Sequence, residues 1–116
     1  MTLTARSKIA AHIQEAVGDE KAFIIDAFAG VGANTIAFAL SGRWQTVFAI
    51  EKDPKALKCA KHNAEIYGVG NKIIWIEGNC FDVIPQRFGD LGSKTIIFAS
   101  PPWGGEKACP YFQRMN

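Results

Sequence analysis

Short apolar runs alternate with helix-like segments along this chain, and this alternation constrains the fold more than any other feature. Four runs are nearly continuous in apolar residues and are bounded by turn or charged residues, at 23–25, 47–50, 73–76 and 96–99. Such runs are typical of parallel strands that are buried on both faces. Segments of helical composition lie between them, at 34–40, 54–67 and 80–88. The repeated strand–helix–strand order predicts right-handed crossovers and a parallel α/β sheet.

The second helical segment carries the clearest helix signals. Asp53 is a suitable N-cap, Pro54 stands at the first helical position, and Gly68 follows the last one. A further helix is predicted over 4–17, where apolar residues recur every four positions. We expect the apolar stripe of this N-terminal helix to pack on the sheet.

Length and composition limit the class of protein. A chain of 116 residues is expected to form a single domain, 1–116. Hydrophobic residues make up 48% of it and charged residues 21%, which excludes a disordered protein. The net charge of +2 is too small to indicate a nucleic-acid or membrane partner. No apolar run is long enough for a membrane span and residues 1–17 lack the apolar centre of a signal peptide, so we expect neither membrane insertion nor secretion.

The cysteines do not indicate a site. Cys59, Cys80 and Cys109 are odd in number and widely spaced, without a CxxC pair or a histidine cluster. Neither a disulfide framework nor a zinc site is therefore predicted, and no other metal site is expected. We expect the thiols to be reduced.

Three lysines recur with i+3 spacing in the second helical segment, at Lys55, Lys58 and Lys61. A row of this kind usually forms the solvated face of a helix. An RNA backbone could use the same positive charges. Both interpretations stay open at the level of the sequence.

In open α/β sheets ligands bind at the carboxyl ends of the strands, and the first of these ends carries a glycine turn. Gly30 and Gly32 permit positive φ, and the N–H groups that open the next helix form a site for a small anion. A dinucleotide fingerprint would need a third glycine where the chain has Thr35. S-adenosylmethionine fits better, because its carboxylate is the anion and Asp26 is placed to hold its ammonium group. A purely structural glycine turn is the alternative.

The next two strand ends carry further candidates for binding a nucleoside. Glu51 follows the glycines at about the spacing at which a carboxylate accepts hydrogen bonds from both ribose hydroxyls. After the third run, Asn79 is placed to bond an adenine base and Phe81 to cover it. Together with the glycine turn, these residues favour a nucleoside cofactor.

The fourth strand end carries Ser100, Pro101, Pro102 and Trp103 in succession. Two prolines fix φ and lack an N–H, so this loop offers carbonyl oxygens with little conformational freedom. These acceptors and the hydroxyl group of Ser100 suit the orientation of an exocyclic amine toward a methyl donor. Trp103 offers a flat face on which a base can stack, and a positively charged base gains cation–π attraction. A rigid surface loop is the structural alternative.

The chain resembles the trimethylguanosine synthase family of RNA cap methyltransferases in four segments: 26–39, 49–54, 60–69 and the Ser-Pro-Pro-Trp-Gly-Gly string at 100–105. The resemblance covers about 4–105. It implies a Rossmann-like class I methyltransferase fold and methyl transfer from S-adenosylmethionine to N2 of 7-methylguanosine. The implied substrates are the caps of small nuclear and small nucleolar RNAs. The implied location is the nucleus, with the nucleolus favoured and the cytoplasm left open.

The resemblance also implies roles for individual residues. Ser100 and the carbonyl group of Pro101 would position N2, and Trp103 would stack on 7-methylguanine with Pro102 as a further substrate contact. The residues that would hold the cofactor are Asp26, Phe28, Ala29, Gly30, Gly32, Asn34, Thr35, Glu51, Lys52, Asn79, Cys80 and Ser100.

Among several departures of the chain from the family pattern, three bear most on its function. Asn79 stands where the family has an aspartate, the match ends after Gly105, and only four of the usual seven strands are present. We therefore expect a shortened form whose fourth strand has an unpaired apolar edge, which favours self-association or a protein partner. Two other functions remain as alternatives. One is an amino-methyltransferase for adenine, cytosine or unmodified guanine, and the other is an inactive module that binds the cofactor or the cap.

Overall fold

Four parallel strands and the three helices between them make up the sheet and its covering layers in the part of the chain that the structure describes. A computed structural model describes residues 11–13, 18, 20–89 and 92–100. The strands are β1 (Phe23–Asp26), β2 (Thr46–Glu51), β3 (Ile73–Glu77) and β4 (Thr95–Phe98). The helices between them are α1 (Ala33–Ser41), α2 (Pro54–Ile66) and α3 (Cys80–Phe88), with a short 3-10 helix at Gly70–Lys72. The predicted α/β sheet is confirmed.

The predicted N-terminal helix over 4–17 falls mainly outside the described residues. Residues 11–13 are helical, as the pattern predicts.

The strand order is β3-β2-β1-β4, so the direction of winding reverses at β1. Ile24 of β1 lies opposite Val47 of β2 on one side and Ile96 of β4 on the other. All strands are parallel, so their carboxyl ends meet at one edge of the sheet. Ligands bind at such a reversal of strand order in open α/β sheets. The glycine turn follows β1 at this point.

Apolar side chains pack on both faces of the sheet. One cluster joins α1 and α2 to the sheet and includes Ile24, Phe38 and Val47. The other lies under α3 and includes Ile25 and Ile50. The central strands are thus packed between helices on both faces of the sheet.

Burial on both faces is confined to the central strands. Ile24 and Ile50 have no exposed surface, whereas Ile74 of β3 is 49% exposed and Ile97 of β4 is 40% exposed. The expectation that all four runs are buried on both faces is therefore wrong for β3 and β4. The reason is that both are edge strands of the described sheet, and burial depends on neighbours that an apolar run does not reveal. Within the described residues β4 pairs with β1 alone, so its outer edge has no strand partner there.

The ends of α2 follow the local signals in the sequence. The side chain of Asp53 accepts a hydrogen bond from the backbone N of Lys55 at 3.0 Å, and Pro54 opens the helix. Gly68 ends the helix with a φ of 72°, which a residue with a Cβ rarely adopts. The helix is one residue shorter than predicted. α3 has the predicted bounds of 80–88.

One cysteine differs from expectation. Cys59 is disulfide-bonded, whereas Cys80 is a free, buried thiol. The expectation of reduced thiols is wrong for Cys59, because pairing depends on spatial proximity and spacing along the chain does not show it. Across the described ranges, no helix is long and apolar enough to cross a bilayer. No group of three potential metal ligands is found in that part of the chain either.

Replacing Asp53 by alanine removes the side-chain acceptor at the start of α2. We expect Asp53→Ala to lower the free energy of unfolding by about 1 kcal/mol, the typical effect of losing an N-cap. Asp53→Asn is the matched control, because asparagine caps a helix equally well. Its urea midpoint should stay close to that of the unaltered chain. An equal loss in both variants would show that the charge of Asp53, and not the cap, stabilises the helix.

Candidate functional site

The loop from β1 into α1 makes a tight turn at the carboxyl end of β1. Gly30 and Gly32 have φ values of 56° and 94°, in the region that disfavours residues with a Cβ. The backbone N of Gly32 donates to the carbonyl oxygen of Ala29 at 2.8 Å, and that of Ile36 donates to Gly32 at 2.8 Å. The turn therefore leads directly into α1, and its backbone conformation favours glycine at both positions.

The two glycines differ in what surrounds them. A Cβ at Gly32 would lie 3.1 Å from the Cβ of Ala60 and 3.2 Å from its Cα, so the absence of a side chain lets the turn pack against α2. A Cβ at Gly30 would meet no atom of the described residues within 4 Å. That part of the chain therefore leaves space beside Gly30.

Glu51 connects the glycine turn to the next strand end. Its Oε1 accepts a hydrogen bond from the backbone N of Gly30 at 2.8 Å, and its Oε2 accepts one from Asp53 at 2.9 Å. Its backbone oxygen also accepts from the N–H of Gly78 at 2.9 Å, which ties in the end of β3. Each carboxylate oxygen has a second lone pair. The half-buried carboxylate can therefore accept further hydrogen bonds from hydroxyl groups of a ligand.

Asp26 lies beneath the turn. Its Oδ2 accepts a hydrogen bond from the hydroxyl of Thr35 at 2.7 Å, and its Oδ1 accepts one from the backbone N of Phe28 at 3.3 Å. Asp26 has no exposed surface. The expected contact between its carboxylate and a cofactor ammonium group stays a prediction. In the structure as it stands, Asp26 supports the turn from below.

Asn63 holds the turn from the side of α2, a role that sequence reasoning missed. Its Nδ2 donates to the carbonyl oxygen of Val31 at 3.0 Å, and the residue is completely buried. The sequence held a signal for this role, because Asn63 follows Ala60 by three residues and so lies on the face of α2 that also buries Leu57. A polar residue in an apolar helical stripe needs a buried partner.

The end of β3 places an aromatic pair beside Asn79. The Oδ1 of Asn79 accepts a hydrogen bond from the backbone N of Phe81 at 2.9 Å and so caps α3. Phe81 is 76% exposed, and its ring meets that of Phe28 edge to face with 6.3 Å between the centroids. A large exposed aromatic side chain at this edge is available to cover a base. The predicted positions of Asn79 and Phe81 at one strand end agree with the structure, while their contact with adenine stays a prediction.

Several other predicted cofactor residues line the turn from within. Ala29, Asn34 and Thr35 are buried, as is Cys80 at the start of α3. Lys52, by contrast, is exposed next to Glu51. The buried side chains shape the site from within.

The end of β4 comes close to the start of the glycine turn. The backbone N of Ala27 donates to the carbonyl oxygen of Phe98 at 3.0 Å, and half-buried Ser100 follows two residues later. Pro101, Pro102 and Trp103 lie outside the described residues, so their predicted roles are carried by the sequence alone. The sheet thus brings the ends of β1, β2 and β4 to one edge.

The fold is one that S-adenosylmethionine-dependent methyltransferases adopt. A solved SAM-dependent methyltransferase from Agrobacterium tumefaciens is similar with a TM-score of 0.69 and 21% identity, over 85% of this chain and 31% of that one. At this identity the likeness concerns the fold.

The family follows from the sequence comparison. Residues 21–111 match the family model of RNA cap guanine-N2 methyltransferases, and the chain belongs to this family. The trimethylguanosine synthase of Schizosaccharomyces pombe is 40% identical over 101 residues, and that of Saccharomyces cerevisiae is 32% identical over 82. The matches cover 84% and 71% of this chain. They span 41% and 25% of the relatives, so the chain corresponds to less than half the length of either.

Thr35→Val tests how strongly the buried carboxylate of Asp26 depends on its hydroxyl donor. Valine has nearly the same shape but lacks the hydroxyl, and a buried acceptor that loses its partner costs about 1–3 kcal/mol of unfolding free energy. Chemical denaturation measures this loss. Thr35→Ser keeps the hydroxyl and is the control, with a loss of about 0.8 kcal/mol for the missing methyl group. A serine variant no more stable than the valine variant would contradict the importance of the bond.

Proposed function

We propose that the chain binds S-adenosylmethionine at the glycine turn and transfers its methyl group to N2 of 7-methylguanosine in RNA caps. One observation carries the proposal: the carboxylate of Glu51 accepts a hydrogen bond from the backbone N of Gly30, and this bond joins the ends of the adjacent strands β1 and β2. The bond occurs in a chain that belongs to the cap methyltransferase family. This arrangement fits a ligand with an anionic end and a ribose.

The residues present fit the three parts of the cofactor. The space that the described residues leave beside Gly30 suits the methionine end, because small anions bind near N–H groups that open a helix. The remaining lone pairs of Glu51 suit the ribose hydroxyls. Asn79 and the exposed ring of Phe81 suit the adenine, with Phe28 supporting the ring from the side.

The residues after β4 would hold the methyl acceptor. When bound, S-adenosylmethionine supplies a methyl group on a positively charged sulfur, and the attacking amine gains this methyl as the carbon–sulfur bond breaks. The hydroxyl oxygen of Ser100 and the carbonyl oxygen of Pro101 would accept hydrogen bonds from the N–H groups of the amine and so orient its nitrogen. Trp103 would stack on the cationic 7-methylguanine. The amine then releases one proton to solvent.

The proposed substrates are the caps of small nuclear and small nucleolar RNAs, which implies a nuclear protein. The outer edge of β4 and the exposed side chain of Ile97 are the proposed surface for self-association or for a protein partner.

Two variants separate the cofactor site from the cap site. Glu51→Gln replaces one carboxylate oxygen by an N–H₂ donor, which then faces other hydrogen-bond donors. We expect S-adenosylhomocysteine to bind at least about tenfold more weakly, because hydrogen bonds to charged groups contribute about 1.5–3 kcal/mol. Binding of a 7-methylguanosine cap analogue should stay close to that of the unaltered chain. Trp103→Ala should show the reverse pattern. Calorimetric titration with each ligand measures both affinities.

The same two titrations also show which results would contradict the proposed sites. Loss of both affinities in either variant, with circular dichroism showing an intact fold, would mean that the two sites are not separate. Unchanged affinity for S-adenosylhomocysteine in Glu51→Gln would overturn the assignment of the ribose to Glu51.

Asn79→Asp is expected to strengthen cofactor binding. One side-chain oxygen of residue 79 caps α3, and a carboxylate has a second oxygen that accepts from the exocyclic amino group of adenine. The amide offers an N–H₂ donor there instead. We expect S-adenosylhomocysteine to bind about tenfold more tightly, the effect of one additional charged hydrogen bond. Asn79→Ser keeps a capping oxygen without the charge and should give no gain. An unchanged affinity in Asn79→Asp would place the adenine elsewhere.

A further inference from the structure

A row of lysines lies along the exposed face of α2. Lys55, Lys58 and Lys61, hereafter the lysine face, are all exposed, whereas Leu57 and Ala60 on the opposite face are buried against the sheet. The packing of α2 thus settles which face points to solvent. It turns the three ammonium groups away from the core.

The lysine face has a local excess of positive charge that the net charge of the chain conceals. In the described part of the chain, none of its three lysines forms an ion pair with a carboxylate. The stretch 52–66 holds four lysines and two carboxylates, Asp53 and Glu65. Asp53 is engaged at the N-cap, and Glu65 lies at the far end of the helix. The positive charges are therefore available to an external anion.

The lysine face begins at the edge of the sheet that carries the proposed active site. α2 starts at Pro54, three residues after the end of β2 at Glu51. Neighbouring strands lie about 4.8 Å apart, so the end of β2 is roughly 10 Å from that of β4. With a rise of about 1.5 Å per residue, Lys55 to Lys61 extends roughly 9 Å farther along the helix. A cap nucleotide held near Ser100 does not span this separation, whereas the RNA that follows it does.

We propose that the lysine face binds the phosphate backbone of the RNA that follows the cap, an inference that rests on the proposed function for the identity of that RNA. Lysine ammonium groups act as point charges on phosphates and bind them without reading sequence. A membrane-binding helix needs an exposed apolar face, whereas the apolar face of α2 packs on the sheet. The surface therefore fits a nucleic acid better than a lipid bilayer.

The test compares two double variants with the same change in charge. Lys58→Gln/Lys61→Gln alters the lysine face. Lys72→Gln/Lys94→Gln alters two exposed lysines that directly precede β3 and β4, at the opposite edge of the sheet. Fluorescence anisotropy measures binding of the full chain to an RNA of about 12 nucleotides, within the usual size of single-strand sites. The RNA is used with and without a 7-methylguanosine cap, and a cap dinucleotide serves as the short ligand.

We expect the variant of the lysine face to bind both RNAs about tenfold more weakly than the unaltered chain, and to bind the cap dinucleotide equally well. The slope of log affinity against log salt should fall by about 1.4, or about 0.7 for each lost phosphate contact. The control variant should keep the affinity and the slope. Thermal unfolding of both variants checks that the fold is intact.

Equal losses in the two variants, no loss in the first, or RNA that binds no more tightly than the cap dinucleotide would each overturn the proposal. So would competition by phosphatidylserine vesicles as effective as that by unlabelled RNA, which would indicate a membrane surface. Titration with S-adenosylhomocysteine tests the proposed function separately. Absence of that binding together with lysine-dependent RNA binding would overturn the proposed function and leave the RNA surface in place.

Discussion

The site depends on the hydrogen bonds that the carboxylate of Glu51 accepts. Its two oxygens bind the backbone N–H groups of Gly30 and Asp53, so one side chain fixes the turn after β1 relative to the start of α2. Its backbone oxygen adds the N–H of Gly78 after β3. Three strand ends are thereby held in register at one edge. Hydrogen bonds to an ionised acceptor are stronger than neutral ones, which suits a charged residue to this position.

The glycine turn is held from several directions before any ligand arrives. Asp26 and Thr35 support it from below, Asn63 binds its carbonyl oxygen from α2, and Gly32 packs closely on Ala60. Left-handed glycine conformations are entropically costly to fix, so a turn of this kind needs such partners. With them, its N–H groups already have their orientation. A ligand that binds there pays little for ordering the loop, which is the benefit of preorganisation.

Local signals in the sequence predicted the fold well, and contacts between distant segments account for what they missed. α3 has the predicted bounds because its cap, Asn79, is adjacent in sequence. The α/β sheet, which the apolar runs predicted, is confirmed. The family, which the resemblance in motifs such as 26–39 and 100–105 implied, is confirmed as well. The exposure of Ile74 and Ile97 was not predicted, because it depends on which strands lie at the edges. The role of Asn63 required knowing that α2 packs on a turn 32 residues earlier.

The most direct test of the central claim is a product assay. The purified chain is incubated with S-adenosylmethionine and either a 7-methylguanosine cap dinucleotide or the same dinucleotide without the 7-methyl group, and mass spectrometry locates any added methyl. The account predicts methylation of N2 in the 7-methylated cap, with two methyl groups in the complete trimethylguanosine product, and no methylation of the other dinucleotide, because the proposed stacking on Trp103 favours a cationic base. Methylation of neither dinucleotide, or equal methylation of both, would contradict it.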